Sequence, residues 1–283
     1  MAEPADTRID GRAIAKRGAF FAVVLGFAEQ GANVLLPAGG AGGPAFGAYV
    51  LTRLGVPADL AAQRHAALFL ATSAVSFAAL VLAGALTSIG VLPRDDVALR
   101  WTLIPAAGAA VVIALAVLFA RTDTPAKPGG GKLRTALWRV RRFVHDGVRT
   151  TVELLQRGDR MLIVGSITYF AFDVLSLGCA FEAFGGGAPP IGVFILAYAL
   201  GHAGALAPTP GGVGGTEGGL IGMFVAYGTP ISLVAAAVLT YRVFQLGLPA
   251  VLGAICLLRI RRVLANPPPR DVVAARFERS GSG

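Results

Sequence analysis

The sequence predicts an all-α, polytopic bundle of transmembrane helices, built as two inverted-topology repeats with a glycine-broken re-entrant hairpin in each. Three observations carry this prediction. Of the 283 residues 55% are apolar and 14% charged, and the mean hydropathy is +0.68; an average soluble domain has about 25% charged residues. The charges are also segregated. Four Lys or Arg lie in 1–17, ten in 121–160 and six in 259–283, while the runs 65–93, 101–120, 183–216, 218–241 and 243–258 have no charge at all. Finally, a glycine pattern recurs. Gly39-Gly40-Ala41-Gly42-Gly43 and Gly211-Gly212-Val213-Gly214-Gly215 are 172 residues apart, and Gly55-Val56-Pro57 and Gly228-Thr229-Pro230 follow them at a spacing of 173.

These figures exclude a soluble globular enzyme, and they exclude a disordered chain. The net charge of +9 fits an anionic cytoplasmic membrane surface better than nucleic acid. Cys179 and Cys256 both sit in apolar stretches, with no disulfide framework and no metal spacing.

Taken in order, residues 1–17 read as a cytoplasmic N-terminal segment, not a signal peptide, because acids and bases are mixed there and no small-residue cleavage site follows. A single transmembrane domain spans 18–262, and 263–283 form a flexible cytoplasmic tail. A crossing takes about 20 apolar residues, which gives segments at 18–36, 65–90, 101–120, 161–184, 189–207 and 230–258. The apolar stretches 44–54 and 217–227 are half a span each, about 16 Å as helix. Each follows a glycine break, as the return arm of a re-entrant hairpin would. Lys/Arg bias places both termini and the 121–160 loop in the cytoplasm. The first hairpin then opens on the cytoplasmic side and the second on the outer side. Two units of opposite orientation with broken helices mark a transporter site; against this stands the general abundance of small residues in membrane helices.

Within the loop, Leu133, Leu137, Val140, Val144, Val148, Val152 and Leu155 recur at helical steps, with Arg134, Arg139, Arg141, Arg142 and Arg149 between them and Trp138 alongside. This predicts a basic amphipathic helix over 132–157, lying on the anionic inner leaflet or packed on a partner.

Charges inside a bilayer are costly and need a partner or a wet cavity. Glu29, Asp173 and Arg242 fall near the middle of their spans, and Glu217 opens the second return helix. Glu217 either caps that helix or binds a cation or proton. Arg242, next to Tyr241, is either an internal ion-pair partner of Glu217 or Asp173, or a phosphate ligand through its planar fork. Asp173 is a proton relay or Arg242's partner. Glu182 lies near a segment end, at the interface. Glu29 and Asn33, four residues apart, share a face that lines the cavity. The backbone of Gly211, Gly212, Gly214, Gly215 and Thr216, and of Gly39 and Gly40 in the first break, offers N–H groups to an anion. His65 and His202 read as packing or interfacial residues. No metal site, cofactor or catalytic constellation is predicted. The glycine runs lack the Lys-Ser/Thr of a phosphate loop and the surroundings of a dinucleotide fold.

The run Ala207-Pro208-Thr209-Pro210-Gly211-Gly212-Val213-Gly214-Gly215-Thr216-Glu217, with Gly228-Thr229-Pro230, Tyr241-Arg242 and Asn33-Val34-Leu35-Leu36-Pro37-Ala38-Gly39-Gly40, resembles the lysylphosphatidylglycerol synthase transmembrane-region family over about 18–260. The resemblance implies a bacterial inner-membrane, flippase-like protein that moves amphipathic lipids between leaflets. A stand-alone member is expected, since nothing in these residues resembles the soluble aminoacyl-transferase domain. The chain departs from the family at Gly42-Gly43-Pro44-Ala45, where no acid stands, and in having one segment before the Asn33 element. The missing helix predicts a longer N-terminus, a second copy or an envelope-biosynthesis partner that completes the bundle.

The function expected is therefore translocation of an anionic or amphipathic lipid, a phospholipid or polyprenyl phosphate, without enzymatic activity. The alternative is a non-transporting anchor or partner subunit of a lipid-modifying or cell-envelope enzyme. An enzyme acting on a lipid-linked sugar would have to draw on Asp95 and Asp96, which with Arg94 and Arg100 read better as an ordinary charged loop.

Overall fold

The computed structural model describes residues 11–36, 42–93, 97–122, 131–156, 160–206 and 209–265. Gly39, Gly40, Asp95, Asp96 and most of the two terminal segments lie outside the described residues, as do the side chains of Val140 and Leu155. The described residues form α-helices and short 3-10 turns, with no strand among them. In chain order the helices are α1 (Gly11–Leu35), α2 (Gly42–Arg53), α3 (Ala58–Ser88), α4 (Leu99–Ala120), α5 (Lys132–Gln156), α6 (Arg160–Ala183), α7 (Ile191–Gly201), α8 (Gly215–Ala226) and α9 (Ile231–Ala265).

Four of them, α3, α4, α6 and α9, are long and apolar enough to cross a membrane. Their outer faces are apolar as well: Ile104 of α4 is 68% exposed and Phe244 of α9 is 69% exposed. Exposed aliphatic and aromatic side chains on every long helix suit hydrocarbon, not water. Both terminal helices extend past the predicted segments, α1 back to Gly11 and α9 on to Ala265. A helix need not stop where the hydrocarbon does, because Lys and Arg on its end turns reach the interface along their own methylene stems.

The glycine and proline positions explain the helix ends. At the end of α2, Gly55 N–H donates to Thr52 O (3.1 Å) and Val56 N–H to Leu51 O (3.0 Å). At the end of α8, Gly228 donates to Val225 O (2.9 Å) and Thr229 to Phe224 O (3.0 Å). Both are Schellman caps with a left-handed glycine, at φ 98° and 92°. In each case the next residue is a proline that opens a long helix, Pro57 before α3 and Pro230 before α9. The recurring Gly-x-Pro is thus one local device used twice.

Two apolar clusters hold the helices together. Phe181, Phe194 and Phe224 join α6, α7 and α8 with ring centroids 5.0–5.6 Å apart. Val24, Leu25, Ala28, Val50, Leu54 and Ile260 join α1, α2 and α9. The helices α1 and α9 cross at Gly31 and Gly253, where a Cβ on Gly31 would lie 2.8 Å from Gly253 Cα. Small residues let the two backbones approach this closely.

The two hairpins open toward opposite ends of α3. The first, α1–α2, feeds directly into the start of α3 through Gly55-Val56-Pro57. The second, α7–α8, opens against the far end of α3: Gly192 packs on Thr87 and Leu92, and Tyr227 Oη donates to Trp101 O at the start of α4 (2.8 Å).

The amphipathic helix α5 matches the predicted range but not wholly the leaflet placement. Its second half is an internal packing surface: Gly147 sits on Ala66 and Leu70 of α3, and Thr151 Oγ1 donates to Ala67 O (3.2 Å). His145 is fully buried, with Nε2 against Thr122 O at 2.9 Å. Small residues on α3 accept this half of the apolar stripe. The first half remains outside, with Leu133 and Leu137 exposed.

Candidate functional site

The site begins with the break between α7 and α8. Gly211, Gly212 and Gly214 take φ of 60°, 67° and 85°, a region where a side chain would be strained. Thr209 Oγ1 closes the turn by donating to Val213 O (2.9 Å). Two consequences follow. The carbonyl of Gly211 is turned toward α9, and Gly214 stands as N-cap of α8 with Glu217 in the first turn.

Glu217 caps α8, one of the two roles the sequence left open, and is also the internal ion-pair partner of Arg242. Its Oε2 accepts the Gly214 N–H (2.7 Å), the return half of a capping box. Its Oε1 accepts Arg242 Nε (2.7 Å). Arg242 is 6% exposed, and the rest of its fork is also engaged: Nη2 donates to Gly211 O (2.6 Å) and Nη1 to Gln245 Oε1 (2.5 Å). A guanidinium has only donors, so the oxygen of the Gln245 amide must face it. The amide nitrogen then points the other way, to Asp173.

Asp173 is not Arg242's direct partner. Its Oδ2 accepts the Tyr198 hydroxyl (2.5 Å) and its Oδ1 the Tyr241 hydroxyl (2.8 Å). Gln245 Nε2 lies 3.3 Å from both oxygens and also meets Tyr241 Oη. His202 Nε2 approaches Asp173 Oδ2 at 3.9 Å. One continuous network therefore runs from the α8 cap through Glu217, Arg242 and Gln245 to Asp173 and two tyrosines, and it contains two carboxylates for one guanidinium.

All of these groups except Glu217 and Gly214 line a cavity of about 940 Å³, within the size range of small-molecule sites. Gln30 and Asn33 of α1 add polar wall, and Asn33 Oδ1 also accepts the Gly43 N–H at the start of α2 (3.4 Å). Most of the remaining wall is apolar, with Ser76, Tyr169, Ser176 and Thr240 set in it. Phe172 and Leu175 of α6 and Phe244 and Leu248 of α9 line the cavity while each is more than half exposed. The mouth thus opens sideways, between two membrane-length helices, with the polar network at its inner end.

Most predicted site residues meet here: Asn33, Asp173, Gly211, Gly212, Thr216, Tyr241 and Arg242 line the cavity, and Gly214 and Glu217 are bonded to its wall. Gly215 packs on Gly204, where a Cβ has no room. Glu29 is a correction. It does not line the cavity but faces the other side of α1, where His65 Nε2 lies 3.0 Å from its Oε1. Both His65 and His202, read from sequence as packing residues, touch or approach a carboxylate. Gln245 and Tyr198 were not anticipated. Gln245 was recoverable, since it lies three and four residues beyond Arg242 and Tyr241 and therefore on their face of α9. Nothing near Tyr198 in sequence announces Asp173 as its partner.

In this conformation the Gly214 N–H is bonded to Glu217, and the Arg242 guanidinium to oxygens of Glu217, Gln245 and Gly211. Thr216 Oγ1 is buried with no hydrogen-bond partner among the described residues.

The family model described as the lysylphosphatidylglycerol synthase TM region matches residues 12–253. No curated protein and no solved structure matches the chain.

Proposed function

Because the chain belongs to the lysylphosphatidylglycerol synthase transmembrane-region family and is a multi-pass membrane protein, we propose that it is a flippase-like transporter of an anionic or amphipathic lipid, phospholipid or polyprenyl phosphate. The observation that carries this reading is a cavity with a buried charged network at its inner end and a mouth of exposed apolar side chains between α6 and α9. A lipid headgroup would enter while its chains stay in the bilayer.

Glu217 then acts as the resident anion. A headgroup phosphate would compete with it for Arg242 and the α8 N-terminus, both favourable to oxyanions. The displaced carboxylate, with Asp173 and its tyrosines, would balance a cation or a proton. The opposed openings of the α1–α2 and α7–α8 hairpins support a pair of inverted re-entrant units, the arrangement expected for alternating access. No catalytic role is proposed. The placement proposed is the bacterial plasma membrane, with both termini and α5 on the cytoplasmic side.

The test is a leaflet-accessibility assay in liposomes with fluorescent anionic and zwitterionic phospholipids and a polyprenyl phosphate. The wild-type protein is expected to translocate at least one of them, and Glu217→Gln and Arg242→Ala to lose that activity while folded. Normal translocation by both variants would overturn the mechanism. Failure of folded wild-type protein to move any of these lipids would favour the second reading, a membrane anchor for an envelope enzyme. The exposed first half of α5, with Leu133 and Leu137 flanked by arginines, is the observation on its side.

A further inference from the structure

The Glu29–His65 contact lies outside the cavity, and its hydrogen-bond geometry fixes a proton count. His65 Nδ1 is 2.9 Å from Ala61 O. A backbone carbonyl only accepts, so Nδ1 carries a hydrogen. Nε2 is 3.0 Å from Glu29 Oε1. A neutral imidazole protonated at Nδ1 presents a lone pair at Nε2, and an ionised carboxylate presents lone pairs as well. The two can sit at this distance only with one further proton between them, as imidazolium and carboxylate or as imidazole and carboxylic acid.

The pair is sealed by α2. Its side chains are 10% and 16% exposed for His65 and Glu29. Gly47 of α2 lies directly over the contact, and a Cβ there would overlap Glu29 Oε1 and His65 Nε2. Three helices meet at one proton: α1 supplies the carboxylate, α3 the imidazole and α2 the lid.

No other described charge is bonded to the pair from the elements around it. On α2, Tyr49 and Arg53 are exposed, and Arg64 beside His65 on α3 is exposed too. α9 meets α1 and α2 with Cys256, Leu257 and Ile260, and its Arg259 is held over Phe20 at 5.7 Å. α5 meets α3 through Gly147 and Thr151, while its Arg149 and Glu153 pair with each other at the surface (3.1 Å). α4 meets α3 through Gly84, Ala106, Ser88 and Thr102; α7 does so through Gly192 on Thr87. α6 lies beside α3 along Ser166 and Ile167, which share a small apolar pocket with Ala74 and Ala78.

We infer that Glu29 and His65 form a single-proton binding site that clamps the α1–α2 hairpin onto α3, and that releasing the proton loosens the hairpin. On release the N–H (or O–H) bond between the partners breaks and the proton passes to water. The neutral imidazole then has one N–H for two acceptors, Ala61 O and Glu29, so one of its two hydrogen bonds is lost and the contact with Glu29 is no longer that of an imidazolium with a carboxylate. The ligand of this site is a proton and its output is the mobility of α2.

The experiment is amide hydrogen exchange over residues 42–53 in the full chain in lipid nanodiscs, from about pH 5 to pH 9, corrected for the intrinsic pH dependence of exchange. Wild-type protection is expected to fall by about tenfold or more across one step, the size of a lost charge-assisted hydrogen bond. Glu29→Gln should remove the step and stay protected throughout, because its amide N–H donates to the unprotonated Nε2 without an added proton. His65→Gln, whose amide can donate to the ionised Glu29, should likewise show no step and serves if the first variant does not fold. A flat wild-type profile, or a step that persists in either variant, would overturn the inference. None of these outcomes bears on lipid translocation, so this site and the transport reading fail independently.

Discussion

At the scale of single residues, charge bookkeeping inside the bilayer decides most of what matters. Arg242 is buried and Glu217 partly buried, with side chains 7% and 15% exposed. Removing one partner of such a pair leaves an uncompensated charge, whereas removing both does not. Arg242→Ala is therefore expected to destabilise the protein by about 3–5 kcal/mol, and the double variant Glu217→Gln/Arg242→Ala to recover most of that loss, as measured by denaturation in detergent micelles. Equal destabilisation by the single and double variants would mean that the pair contributes packing and not charge balance. The sequence brought both residues forward on physical grounds, because a charge in a long uncharged run needs a reason. It left the pairing open between Glu217 and Asp173. Gln245 settles that choice by standing between them, its amide oxygen drawn to the guanidinium and its nitrogen to the carboxylate.

At the scale of elements, the α7–α8 break is the feature that turns a hairpin into a site. Gly211 is left-handed, and its carbonyl is a ligand of Arg242. An L side chain in that conformation costs about 1–2 kcal/mol; the added Cβ would crowd the flexible end of Leu246, 2.9 Å away, and make ordinary contact with Val34 O at 3.6 Å. Gly211→Ala should therefore lower stability by about 1–2 kcal/mol and tilt the carbonyl away from the guanidinium. Gly222→Ala is the control, since a Cβ there finds open space in the middle of α8, and alanine is the better helix former; it should be neutral or stabilising in the same unfolding assay. The α7–α8 break was legible because a five-residue glycine pattern is a rare signal. The destination of α5 was not. An amphipathic stripe fits a lipid surface and a protein surface equally well, and only α3's run of small residues, Ala66 and Ala67, decided that half of it would be internal.

At the scale of the whole molecule, the opposed openings of the two hairpins predict a topology. In a background with Cys179 and Cys256 replaced, a single cysteine introduced at Gly131 should react with an impermeant thiol reagent only from the cytoplasmic side. Cysteines at Gly90 and Gly186 should react only from the outside. Labelling of all three from one side would overturn the proposed orientation. The sequence by itself determined the helical class, four long spans and the suspicion attached to Glu29, Asp173, Glu217, Tyr241 and Arg242, while the predicted segments 18–36 and 189–207 hold only shorter apolar helices. It did so because hydropathy, length and the cost of buried charge are local properties that every fold in a bilayer must obey. Tertiary structure alone decided which charges meet. The partners of Asp173 come from α7 and α9, 25 and 68 residues away. Glu29 turns from the cavity to His65 because α2's Gly47 leaves room for a contact there and for nothing larger. Pairings of that kind depend on the rotation of each helix about its axis, which is set by small residues and close crossings spread over the whole bundle and is written in no single stretch of the chain.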